Sequence, residues 1–263
     1  MSIEKKPEIL SLTEDELAHL LVADGHKKFR AQQVFQWLHL KQVFDVRQMT
    51  NLKADFQDYL TEKFTFPEFK ILNESRSPSD QTAKYLFEFG KKQVESVWLP
   101  YENRQSICIS VQSGCSLDCS FCATGKIAFK GNLTAGEILT QVYGMQQLYD
   151  RRITNIVFMG MGEPLHNYDS TARALRLLTH LEGISLSTRR VTVSTSGLVP
   201  EIERLGKEFN GQISLAISLH ATDDESRSAL MPINRKYPLA SLLSALRRFP
   251  LEKRQRITVE YVL

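Results

Sequence analysis

The chain has 263 residues, 42% hydrophobic and 24% charged, ordinary proportions for a globular protein with room for one large domain and a small one. No apolar stretch approaches the ~20 residues of a membrane span. Residues 1–6 lack the charged-then-apolar pattern of a secretory leader, so the expectation is a cytoplasmic protein with no membrane contact. A formal net charge of +3 permits a nucleic-acid partner without demanding one.

Residues 1–65 read as helical. Thr13 stands as an N-cap ahead of acidic residues 14–16. Leu17, Leu20 and Leu21 then make one apolar face, and Phe29, Val34, Phe35, Trp37 and Leu38 another, with Lys27, Lys28 and Arg30 beside it. Residues 49–64 repeat the helical pattern. The expectation is a small helical accessory module with a basic rim. Over residues 66–104 the period changes: 85–89 and 94–99 read as strands joined at Gly90-Lys91-Lys92, and 73–80 as a polar loop.

From residue 105 the pattern alternates. Strands are expected at 107–112, 153–160, 191–196, 213–220 and 257–263, with helices at 135–149, 170–181, 199–208 and 239–249. Such alternation argues for βαβ units around a parallel sheet that curls into all or part of a barrel, with its chemistry at the carboxyl ends of the strands. The polar motifs obey that rule, since Gly114-Cys115, residues 160–163, residues 194–197 and residues 218–220 all close expected strands.

Three of the four cysteines, Cys115, Cys119 and Cys122, fall within eight residues as C-x₃-C-x₂-C. Thiols clustered on one loop in a reducing compartment point to a metal site rather than to disulfides. Three thiolates suit a cubane iron–sulfur cluster, leaving its fourth iron open to a small molecule. Two alternatives stay open: a zinc site completed by His166 or His220, and three core thiols. Cys108, on the first of the alternating strands, reads as a buried core thiol. The basic pairs at 151–152, 189–190, 235–236 and 247–248, with Lys126 and Lys130 beside the cysteines, are each a solvated face or a phosphate contact.

This cysteine spacing, with Phe121 just before the third thiol, resembles the signature of the radical S-adenosylmethionine (SAM) superfamily. The blocks at 114–125, 132–138, 159–165, 189–197, 217–221 and 231–234 are similar to those of the RlmN/Cfr family of RNA adenosine methyltransferases, more so to the RlmN branch. Residues 29–37 resemble that family's accessory helical domain. The likeness runs from about residue 10 to the last residue.

The resemblance implies an α/β fold, a radical SAM partial (β/α)₆-type barrel. It divides the chain into an RNA-binding accessory domain at 1–65, a β-hairpin linker region at 66–104 and the radical SAM core at 105–263. It implies a [4Fe–4S] cluster on Cys115, Cys119 and Cys122, and SAM held by Gly162, Glu163, Ser194, Ser218, Leu219 and His220. Glu95 matches the family's proton acceptor. The implied reaction is methylation of C2 of adenosine 2503 in 23S rRNA and of adenosine 37 in some tRNAs, with a flavodoxin or ferredoxin as electron donor. The alternatives are C8 methylation, or a chain that binds cluster and SAM without methylating. The sequence stops within the fifth barrel strand. The family's sixth strand, a further SAM-contacting asparagine and the methyl-carrying cysteine have no counterpart, so an incomplete chain is expected.

Overall fold

The computed structural model describes residues 6–262. The leader reading at residues 1–6 therefore lies, but for Lys6, outside the described residues, as does Leu263 of the last expected strand.

The first helix, α1 (Glu14–Ala23), begins where the sequence says it should. The Thr13 hydroxyl accepts from the Glu16 N–H while the Glu16 carboxylate accepts from the Thr13 N–H. This reciprocal cap satisfies two otherwise orphaned donors. With α2 (Phe29–His39) and α3 (Ala54–Lys63) it buries Leu17, Leu21, Val34, Phe35, Leu38 and Leu60. Leu20 is only partly buried and Phe29 is 49% exposed, so the apolar faces are narrower than expected. The module is anchored to the rest of the chain by polar contacts: Thr134 Oγ1 donates to Glu8 at 3.0 Å, the Gly136 N–H donates to Ser11 at 2.7 Å, and Arg173 pairs with Glu16.

One eight-stranded sheet follows, and its strands lie side by side in chain order. Strands β1 (Lys70–Arg76), β2 (Ala83–Phe89), β3 (Lys92–Tyr101) and β4 (Arg104–Cys108) are antiparallel neighbours. A separate two-stranded ribbon joins β5 (Gln112–Ser113) to β6 (Gly131–Asn132). From β4 onward, β7 (Asn155–Phe158), β8 (Val191–Thr195), β9 (Ser214–Ser218) and β10 (Thr258–Glu260) continue the sheet in parallel. Helices α4 (Ala135–Tyr149), α5 (Tyr168–Thr179) and α6 (Val199–Glu208) fill successive crossovers, and α7 (Asp224–Leu230) with α8 (Leu239–Arg248) fill the last. This is the expected α/β architecture, a partial barrel wall of five parallel strands. No helix among the described residues is long and apolar enough to cross a membrane.

Two details differ from expectation. Residues 70–76 form β1, where a polar loop was expected over 73–80. Six of its seven residues are exposed, so an edge strand carrying Lys70, Glu74 and Arg76 shows no apolar alternation. Helix α7 was not expected, because it is short, although Asp223 caps it through the Ser226 N–H. On β3, Val94, Ser96 and Trp98 face the core while Glu95 and Val97 take the opposite face, so Val94 and Val97 do not share an environment.

Candidate functional site

A cavity of about 210 Å³ opens at the carboxyl ends of the parallel strands. Its floor comes from the loop after β7 (Met159, Gly160, Gly162, Glu163) and from the ends of β8, β9 and β10 (Ser194, Ser218, Glu260), and its roof from Cys115, Cys119, Phe121 and Cys122.

The cysteine loop is fixed by its backbone. Gly114 has φ +77°, and a Cβ there would lie 2.5 Å from the Ala128 carbonyl oxygen, so the chain passes too closely for any side chain. The Ser120 N–H donates to the Leu230 carbonyl at 2.9 Å, tying the loop to the end of α7. Burial raises the Cys115 thiol, and burial together with the neighbouring cysteines pushes Cys119 up to about 12. Unligated, these thiols stay protonated at neutral pH, and binding a metal must release their protons.

Among the described residues no three Cys, His, Asp or Glu side chains converge on a single ion. A cubane takes one thiolate on each of three irons, so its ligands must line one cavity rather than meet at a point. The three cysteines do so and fit a [4Fe–4S] cluster. His166 Nδ1 instead meets the Ser116 hydroxyl at 3.1 Å, and His220 Nδ1 accepts from the Val262 N–H at 3.1 Å.

Beside the thiols, Gly162 has φ +92°, and a Cβ would come within 2.4 Å of the Gln112 Cβ. Glu163 is buried, and its carboxylate accepts from the Leu165 N–H (2.9 Å), the Ser196 N–H (2.8 Å) and the Ser196 hydroxyl (2.9 Å). Burial raises its carboxyl, and these donors oppose the rise. Its acceptor capacity is thus largely spent on the protein itself, and its first effect is to join the β7 and β8 loops.

Glu260 is the site residue that sequence reasoning missed. Its Oε2 accepts from Ser194 (2.8 Å) and Ser218 (3.1 Å), making a ledge of acceptors across three strands. Beneath the ledge, the fully buried Arg227 donates to the carbonyls of Ser196 (2.7 Å), Ser218 (3.0 Å) and Leu219 (3.0 Å) and to Asn234 Oδ1 (2.7 Å). One signal was available for Glu260: a lone carboxylate within the expected strand 257–263.

The other expected residues stand apart from the cavity lining. Leu219 donates its N–H to the Glu260 carbonyl at 3.0 Å, and His220, at φ +58°, packs edge-on against Phe121 with ring centroids 4.5 Å apart. Glu95 pairs with Lys84 at 2.8 Å, its side chain 43% exposed, while its N–H contacts the Met161 sulfur. Cys108 is partly buried at the end of β4, and burial pushes its thiol up to about 11.

A parallel half-barrel with this cysteine loop at its carboxyl end defines a class, and the comparisons agree. The family model for the radical SAM superfamily matches residues 109–263, and the model described as ribosomal RNA large subunit methyltransferase N-terminal domain matches residues 7–66. The chain belongs to the radical SAM superfamily, whose members carry a [4Fe–4S] cluster and SAM.

Within it, the chain is a member of the RlmN family. The protein of Sorangium cellulosum named dual-specificity RNA methyltransferase RlmN is 47% identical over 286 residues, covering 95% of this chain and 73% of that protein. The protein of the same name in Geobacter sulfurreducens is 48% identical, covering 97% of this chain and 70% of that protein. The crystal structure of a radical SAM methyltransferase from Sphaerobacter thermophilus superposes with a TM-score of 0.91 at 41% identity, over 98% of this chain and 76% of that one.

Proposed function

We propose that this chain is a cytoplasmic RNA methyltransferase that methylates C2 of adenosine, at position 2503 of 23S rRNA and position 37 of tRNA. The observation that carries the reading is the meeting in one cavity of three cluster thiols, the Gly162 cradle and the Ser194–Glu260–Ser218 ledge. In this reading residues 1–65 are the RNA-binding accessory domain, 66–104 lead into the core, and 105–263 are the radical SAM core. A flavodoxin or ferredoxin supplies the electron.

Cys115, Cys119 and Cys122 hold the [4Fe–4S] cluster, which supplies one-electron reductive cleavage of bound SAM. Gly162 brings backbone close to the ligand's amino acid end, and Glu163 keeps that backbone in place. Ser194 and Ser218 point their hydroxyl protons at Glu260, so they offer lone pairs to the ligand. Leu219 and His220 fix the rim. Glu95 accepts the proton lost from the substituted ring carbon. Its half-exposed carboxylate is open to an RNA base once it parts from Lys84, and a surface ion pair costs at most about 1 kcal/mol to break.

The test is anaerobic reconstitution of the chain with iron and sulfide, followed by SAM, a reductant and a 23S rRNA fragment, with mass spectrometry of the nucleosides. 2-Methyladenosine is expected once the reaction also includes the family's methyl-carrying cysteine, for which residues 1–263 have no counterpart. 8-Methyladenosine would establish the C8 reaction instead. 5′-Deoxyadenosine without a methylated base would leave a chain that cleaves SAM but does not methylate.

A further inference from the structure

The segment after the third cluster cysteine is held in place far more firmly than an ordinary surface loop. Gly125 packs against Cys119, where a Cβ would sit 3.1 Å from the Cys119 carbonyl oxygen. The Ala128 carbonyl fills the space a side chain would need at Gly114. The Lys130 N–H donates to the Ser113 carbonyl at 2.8 Å, and the β5–β6 ribbon pairs Ser113 with Gly131. The backbone of residues 125–131 is therefore strapped across the cysteine loop.

What this strap shows to solvent is unusual. Ile127 is 45% exposed and Phe129 44%, two residues apart in the chain. Lys126 and Lys130 flank them, both exposed, and residues 123–132 contain no acidic side chain. Among the described residues neither lysine pairs with a carboxylate. Single exposed apolar residues need no explanation. Two of them flanked by unpaired lysines, on a braced backbone beside a reactive cavity, form an apolar platform with a cationic border. Unpaired nucleotides have the matching chemistry, a flat ring to stack and a phosphate to neutralise. Phe121, six residues before Ile127, lines the cavity and is itself 39% exposed.

We infer that Ile127 and Phe129 form a stacking platform for an unpaired base neighbouring the target adenosine, with Lys126 and Lys130 on the adjoining phosphates. This rests on the RNA reading above and adds to it the surface that receives the flanking nucleotide. The platform holds the strand so that the target base, rather than its neighbour, enters the cavity.

The experiment uses the cluster-reconstituted chain and measures binding of the 23S rRNA fragment and of a fully paired RNA duplex by fluorescence anisotropy. S-adenosylhomocysteine binding and RNA-independent SAM cleavage are measured in parallel. For Phe129→Ala with Ile127→Ala, affinity for the fragment should fall roughly tenfold or more, while duplex binding, S-adenosylhomocysteine binding and SAM cleavage stay as in wild type. Lys126→Gln with Lys130→Gln should make the dependence of log affinity on log salt shallower by about one to one and a half. Because these side chains are exposed, the variants retain the fold, which the unchanged S-adenosylhomocysteine binding verifies.

If wild type binds the fragment and the Ile127/Phe129 variant binds it equally well, the platform is overturned while the RNA reading stands. If the variant instead loses SAM cleavage driven by a protein reductant but not by dithionite, with RNA affinity unchanged, the surface receives the electron donor and the inference is overturned. If wild type binds no RNA, the functional reading falls and takes the platform with it.

Discussion

Ser194 and Glu260, on the third and fifth strands of the parallel run, are joined by a 2.8 Å hydrogen bond that reaches over the strand between them. Ser218 on that middle strand donates to the same oxygen at 3.1 Å, which leaves the other carboxylate oxygen to the cavity. A ligand with donor groups, such as the ribose hydroxyls of SAM, meets a charged acceptor here. Glu260→Ala should weaken binding of S-adenosylhomocysteine roughly tenfold, the effect of one hydrogen bond to a charged group. Equilibrium dialysis of the variant and wild type measures it, and equal affinities would remove Glu260 from the binding site.

Arg227 makes a different prediction. It is fully buried, and four of its donor contacts go to three carbonyls and Asn234. No shorter or monodentate side chain serves the ends of both β8 and β9. Arg227→Met should cost about 3 kcal/mol or more, because several buried acceptors lose their donors. Arg227→Lys should recover less than half of that. Urea unfolding of the chain reads both.

Gly162→Ala combines two costs. The backbone is left-handed at φ +92°, and the added methyl would meet the Gln112 side chain at 2.4 Å. The conformational part alone costs about 1–2 kcal/mol. The overlap adds to it unless Gln112 moves, and moving Gln112 sacrifices its bond to the Glu163 N–H. Thermal unfolding should show a lower midpoint for Gly162→Ala than for an alanine at exposed Gly25, whose φ is +85° but which has open space around it.

His39 gives the chain a pH dependence. Its Nδ1 meets the Tyr143 hydroxyl at 3.0 Å, its Nε2 has no partner among the described residues, and burial holds the ring neutral down to about 3. An unfolded histidine takes a proton near 6.5. Between these values the unfolded state binds more protons, so stability falls as pH falls through 6.5 toward 3. From pH 7.5 to 5.5 this one group should remove about 1.4 kcal/mol, and His39→Gln should lack that share of the slope. Urea titrations at the two pH values test the difference.

Much of this was legible in the residues. Helix α4 occupies 135–149 as read, because Thr134 and Glu137 write its capping box in the sequence. Helix α6 likewise spans its expected 199–208. The cysteine spacing marked the cluster loop, and a glycine before a glutamate at a strand end marked the cradle. What escaped was whatever depends on sheet order or on exposure. Glu260 lies 66 residues from Ser194 in sequence, and only the lateral order of β8, β9 and β10 brings them together. Strand β1 has no buried face to produce a period.

Every hydrogen-bonded neighbour in the main sheet is also the next main-sheet strand along the chain, from β1 to β10. No strand has to be threaded between two already paired, and none waits for a partner made later in order to find its slot. Such a sheet can be laid down from one side in the order in which a ribosome delivers it, each crossover helix closing over the strand just added. Contacts of short sequence separation are formed first and long loops are avoided, which favours quick folding for a sheet of this width. The reactive ledge, built from β8, β9 and β10, is then completed after the cysteine loop that faces it is already in place.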